Sequence, residues 1–199
     1  MKIDPDNQWL WRMPRQRMDA ETVRDSVLHV AGVLDLKFGG PDLPWLDGMS
    51  TPRRSLYFHQ SPEKQMTFLK LFDGVDTTEC YQRHVSIVPH QALALFNSEL
   101  ALVQSRLLAR PMSADLADDK LFVQAAFERV LARPVAEDEL RVCLNFLAER
   151  EEVYRADENA TVGTDNSKDG SLPSAESRLH ARENLIHSLF NHHDFVTIK

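Results

Sequence analysis

Apolar residues along this chain recur mostly three and four positions apart, the spacing that places them on one side of a helix. The first such run is Val23, Val27, Val30, Ala31 and Leu34, with Asp19 in position to cap it and Gly32 to loosen its end. Ser61 and Pro62 form an N-cap and first-turn pair, predicting a short helix through about Phe72 with Met66, Leu69 and Phe72 on one side. From Pro89 onwards Leu93, Phe96, Leu100, Val103 and Leu107 form a long stripe. Asn97 and Ser98 interrupt the good helix formers there, so the stretch reads either as one helix or as two with a bend. Val123, Ala126, Phe127, Val130 and Leu131 mark the next helix. Pro134 closes it and opens another, with Glu137, Asp138 and Glu139 in its first turn and Leu140, Cys143, Leu144 and Leu147 on its apolar face. A last helix is expected from about Ser174 to Phe190.

Two stretches lack this periodicity. Between Leu36 and Arg54 the run FGGPDLPWLDGMSTPRR is dense in Gly and Pro and predicts a long irregular loop, with RRSLYFH after it short and extended. Residues 155–173, rich in Asp, Asn, Ser and Gly, read as a flexible surface loop. Alternating patterns are too few for a sheet, so the expected class is all-α, an irregular helical bundle with a long Gly/Pro-rich loop, formed as a single helical domain over 1–199.

Composition narrows the function classes. With 199 residues and 43% hydrophobic content the chain can bury a core. A formal net charge of −7 and the lack of a Lys/Arg cluster argue against nucleic acid and against a polybasic membrane patch. No apolar run reaches the roughly 18 residues that span a bilayer, and Met1 to Arg12 lacks the apolar stretch of an export signal. Cys80 and Cys143 are too few for a disulfide framework and are not spaced as CxxC.

Several motifs occur together and in order: DPDNQWLWRMPRQRMDAETVRDSVL, FGGP, RRSLY, FDGVD, RHVSIVPHQALALFN, LARP with acidic residues after it, and ENLIHSLFNHHDFV. In these the chain resembles the C-terminal part of domain of unknown function 1553. The resemblance implies a large planctomycete protein that carries a further uncharacterised domain and often a cytochrome-c-like one. It also implies a substantial portion before the DPDN segment, so this chain reads as truncated or split, and that portion or the companion domains are its expected partners. A c-type haem needs CxxCH, which this sequence does not contain, so electron transfer cannot be assigned to it and no cofactor is expected.

Arg53, Arg54, Tyr57, Asp73 and Arg83 occupy the family's motifs beside loops. Arg54 and Arg83 offer planar forks to an anion or a sugar, with Asp73 orienting one of them, so Arg54, Tyr57, Asp73 and Arg83 are the candidate binding residues. The competing expectation is an internal Arg–Asp network that pins irregular segments to the helices. Glu21 and Asp25 stand one helical turn apart, a spacing suited to acid/base work in a cleft, but with Arg17 and Arg24 they alternate in sign as solvated or salt-bridged faces do. Cys80, His84 and His90, and the contiguous His192, His193 and Asp194, match no zinc spacing and read as exposed or core-satisfied histidines. Gly39, Gly40 and Pro41 lack the Lys of a phosphate loop. Trp9, Trp11 and Trp45 can stack on sugars or plug a domain boundary, and exposure of the first two predicts a sticky or oligomeric chain. The reading that follows is a non-catalytic structural or interaction module. Its rivals are part of an enzyme acting on complex carbohydrate and a redox accessory that docks a cytochrome-like partner.

Overall fold

The computed structural model describes residues 4, 7–11, 13, 16–74, 89–156, 170 and 172–198. Among these the architecture is helical, as expected: α1 Ala20–Val30, α2 Thr67–Leu71, α3 Pro89–Phe96, α4 Glu99–Asp115, α5 Asp119–Leu131, α6 Glu137–Ala156 and α7 Ser177–Phe190. Two short strands, β1 Gln16–Arg17 and β2 Thr197–Ile198, pair antiparallel. No helix among the described residues is long and apolar enough to cross a membrane.

The core gathers around α7, which packs against α3, α4, α5 and α6. Leu185, Ile186, Leu189 and Phe190 of α7 are buried with Leu100 and Leu108 of α4, Phe122 and Val123 of α5, and Leu140 and Leu147 of α6. α1 brings Ala20, Val23, Val27 and Leu28 to the same core. Each such apolar side chain contributes roughly 1.5–3 kcal/mol relative to exposure.

The ends of the helices show where the sequence pattern held. α1 stops in a Schellman arrangement: Gly32 takes the left-handed conformation at φ +80°, its N–H donates to the His29 carbonyl and that of Val33 donates to the Leu28 carbonyl. Asp19 occupies the N-cap position, yet its carboxylate accepts no cap bond. The long stripe is two helices. Ser98 Oγ accepts the Ala101 N–H at 3.1 Å and donates to the Leu95 carbonyl at 2.9 Å, closing one helix while opening the next. The two helices do not share one phase: Leu95 of α3 and Leu100, Gln104, Ser105 and Leu108 of α4 are buried, whereas Leu93 and Phe96 of the predicted stripe lie 60% and 48% exposed.

Other boundaries differ from expectation for local reasons. Ser61 caps no helix: its backbone exchanges hydrogen bonds with Lys64 across a tight turn at Pro62, and α2 starts only at Thr67. Ser55–Tyr57, expected to be extended, is a single 3-10 turn. α6 runs on to Ala156, into the predicted surface loop, whose residues 157–169 lie outside those described. α7 begins at Ser177, and Ser174 instead accepts the Glu176 N–H.

Irregular connections recur in this fold, and arginines fasten them. Buried Arg182 of α7 donates to the carbonyls of Leu116 and Ala117 and to Asp119, holding the turn between α4 and α5. Arg106 and Arg110 donate to the carbonyls of Gly170 and Leu172. Arg110 also pairs at 3.0 Å with the buried Glu183, which accepts the Ser174 N–H. Arg133, just after α5, forks onto Glu139 and reaches Asp194 at 2.7 Å, tying the start of α6 to the segment after α7. The Arg133 hydrogen bonds lower the Glu139 pKa from 4.5 to about 2, against an opposing effect of burial.

Two predictions follow from these ends and clamps. Ser98→Ala removes a cap and leaves a helix-end carbonyl without its hydroxyl donor, and it is expected to cost about 1–2 kcal/mol in urea denaturation. Because the Glu139 pKa is depressed in the folded state, its contribution is fully present above pH 4.5 and is lost as pH falls toward about 2. Acid titration of thermal stability on Glu139→Gln is therefore expected to be flatter across that window than for the unaltered chain.

Candidate functional site

The helical wheel of α1 dictates what lies beneath the Gly/Pro loop. Its buried arc is Ala20, Val23, Arg24, Val27 and Leu28, so a charged residue occupies a core position. The Arg24 side chain is fully buried, so of the two expectations for the α1 charges, solvated or salt-bridged, Asp25 takes the second, paired with Arg24. Its guanidinium meets an irregular segment whose carbonyls have no ladder to join. Nε donates to Gly48 O at 2.7 Å, Nη1 to Arg53 O at 2.8 Å, and Nη2 to Thr51 O at 2.6 Å. Asp25 sits 3.2 Å from Nη1, and the Phe58 ring lies under the guanidinium at 4.9 Å. Burial lowers the Arg24 pKa, opposed by the Asp25 charge.

Asp25 is committed to the same task. Its carboxylate accepts the Ser55 N–H at 2.8 Å and the Ser55 hydroxyl at 2.7 Å, so helix α1 and the 3-10 turn are sewn together by a charge pair and a serine. Gly48 is required here for a different reason: a Cβ would sit 2.1 Å from Met66 Cε, which is buried against it. Arg53 repeats the pattern one layer out. It donates to the carbonyls of Lys37 and Gly39, each at 2.6 Å, and stacks at 4.1 Å over Tyr57, whose hydroxyl accepts the Gly39 N–H.

The candidate binding residues thus fall into separate places. Arg54 is exposed and lines a groove of about 340 Å³ with Leu34, Leu56 and the α1 face carrying Glu21, Asp25 and His29. Tyr57 is a strut under Arg53. Asp73 ends α2 in the left-handed region at φ +57° and accepts from Gln91 Nε2 at 2.7 Å, with Arg17 as its charged neighbour. It does not line the Arg54 groove. Arg83 lies outside the described residues, as do Cys80 and His84. His90 is exposed on the first turn of α3.

Chemically, the groove is lined by one arginine and two carboxylates, Arg54, Glu21 and Asp25. Such a bipolar lining suits hydroxyl-rich or zwitterionic groups better than a phosphate, which Glu21 and Asp25 would repel. The Asp25 oxygens already face three donor groups, the Ser55 N–H, the Ser55 hydroxyl and Arg24 Nη1. His192 Nδ1 accepts the Asp194 N–H at 3.0 Å, and no group of three or more metal-type ligands occurs among the described residues. Cys143 is a buried thiol whose pKa burial raises to about 11.

The family described as "Protein of unknown function (DUF1553)" matches residues 1–147. The chain belongs to this family. The match ends inside α6, so α7 and its buried Arg182, Glu183 and Phe190 fall beyond it although the core is built around them. No match was found among curated proteins or among solved structures.

Sequence reasoning passed over Arg24, Asp25 and Ser55 as a unit. The signal was present: position 24 lies on the wheel between positions 20, 23, 27 and 28, all apolar. Replacing Arg24 by Met keeps the volume but strands three carbonyls and the Asp25 charge, and is expected to cost about 3–5 kcal/mol. Equilibrium unfolding measures this, and Arg54→Met in the same assay is expected to change stability by less than about 0.5 kcal/mol.

Proposed function

We propose that this chain serves as a non-catalytic structural or interaction module, folding as one helical domain, within a larger multidomain protein of the planctomycete kind its motifs suggest. The observation that carries this reading is the fate of the polar groups: Arg24, Arg53 and Tyr57 are spent on fastening the loop, and Asp25, although it borders the Arg54 groove, gives its carboxylate to Ser55 and Arg24. Its partners are the companion domains of that larger protein. The exposed Trp9 and Trp11 are the natural contact, since large apolar residues at the surface favour a covering surface.

A second reading, part of an enzyme acting on complex carbohydrate, is favoured by one feature. Arg54, Glu21 and Asp25 line one groove together with Leu34 and Leu56, a lining able to hold a sugar. In that reading Arg54 binds, while Tyr57 and Asp73 only position backbone, with Arg83 as the remaining candidate. Docking of a cytochrome-like partner would draw instead on the acidic balance of the chain.

Calorimetric titration with a panel of neutral oligosaccharides, and separately with a basic c-type cytochrome, tests these readings. The module reading expects no oligosaccharide turnover and no saturable sugar binding. Binding that Arg54→Ala weakens tenfold or more, with folding intact, would replace it by the carbohydrate reading. Cytochrome binding that fades with added salt would replace it by the docking one.

A further inference from the structure

An ionisable group inside the bundle takes no part in fastening the loops. His187 of α7 is 5% exposed, and its Nε2 is buried without a hydrogen-bond partner. Its ring rests on that of Phe96, the last residue of α3, with centroids 4.7 Å apart and planes tilted by 33°. Phe96 is the half-exposed member of the pair, whereas α7 is packed among α4, α5 and α6. Movement of α3 is therefore the shorter way to bring water to Nε2.

The surroundings favour a neutral ring. Burial lowers the His187 pKa, the Phe96 carbonyl opposes this, and the Arg106 charge on α4 adds to it. Glu183, one turn earlier on α7, is committed to Arg110 and to the Ser174 N–H. Asp138 and Glu139 of α6 lie with Leu185, Leu189 and His192 along another groove of α7. His90, in the first turn of α3, is exposed and keeps its water in either arrangement. A proton on Nε2 thus makes a buried cation with no acceptor beside another cation. The attraction of the phenyl face for that charge offsets only part of the cost. Besides this contact, α3 is anchored by Leu95 in the core and by Gln91 Nε2, which donates to Asp73 at 2.7 Å, while Leu93 points outward at 60% exposure.

We propose that His187 is an acid-sensitive switch whose protonation releases α3 from α7 while α4 and α5 stay packed. Because its folded-state pKa is depressed, the contribution of the neutral ring is present above the ordinary value of 6.5 and is lost as pH falls from there through the lowered one. An open form in which His187 titrates near 6.5 gains up to roughly tenfold in population between about pH 7.5 and about pH 5.5. His180 is the other partly buried histidine of α7, also with a pKa lowered by burial, but its ring stacks on Tyr154 of α6. Its titration bears on α6 and leaves the Phe96 contact alone.

Hydrogen exchange on the full chain at those two pH values, corrected for the pH dependence of the intrinsic rate, tests the proposal. Amides of α3 and of its end at Asn97 and Ser98 are expected to lose protection roughly five- to tenfold, while those of α4 and α5 keep theirs. His187→Phe retains a ring against Phe96 and cannot titrate, so it is expected to leave α3 equally protected at both. In the unaltered chain, the His187 imidazole resonance is expected to titrate below 6.5. The proposal is overturned by α3 protection that does not change with pH, by a loss that persists in His187→Phe, or by a loss shared equally by every helix. It is equally overturned by a His187 resonance that titrates at or above 6.5, a measurement that decides the matter even if the variant does not fold.

Discussion

A guanidinium in the core is the constraint on which the rest of this fold depends. A Gly/Pro-rich loop offers carbonyls that cannot enter a helix or a sheet, and burying them without donors costs free energy comparable to a lost hydrogen bond for each. Arg24 answers with a planar fork of donors that satisfies three of them from one side chain. Its charge is offset by Asp25 and by the ring of Phe58. The loop can therefore lie close against α1 without regular structure of its own.

The same solution recurs at several of the described connections between helices. Arg182 serves the connection between α4 and α5, Arg133 the one between α5 and α6, Arg106 and Arg110 the approach to α7, and Arg129 the end of α1 through the Val30 carbonyl. Several of these cations also stack on an aromatic ring, as Arg182 does on Phe122 and Arg133 on Phe127. A protein of this kind keeps its arginines for architecture, and an arginine in a motif is then weak evidence of a ligand. Arg53 and Arg54 illustrate the difference: the first is consumed by the loop, and only the second opens onto a groove.

Helix positions were legible in the sequence because they follow from local periodicity and from punctuation by Gly32, Ser98 and Pro134. The faces were less legible. The break at Asn97 and Ser98 divides the stripe into two helices that do not share one phase, so Leu93 and Phe96 before it fall outside while Gln104 and Ser105 after it fall inside. The candidate site was legible only in its chemistry. Of the residues expected in an internal Arg–Asp network, Arg53 pairs with Asp35 and pins the loop, while Arg24, Asp25 and Ser55 form a deeper unit that was not expected, because long-range pairing partners leave no trace in spacing. Nothing local in the sequence tells which carbonyls thirty residues away a buried arginine will reach.

The small sheet carries a consequence for the order of assembly. Gln16 pairs with Ile198 and Arg17 with Thr197, so a few hydrogen bonds close a loop that takes in nearly every helix. The entropy of closing so long a loop is not offset by two residue pairs alone. Docking of α1 and α7 on the common core brings the strands together, so the ribbon acts as a latch whose closure depends on the packing of the helices.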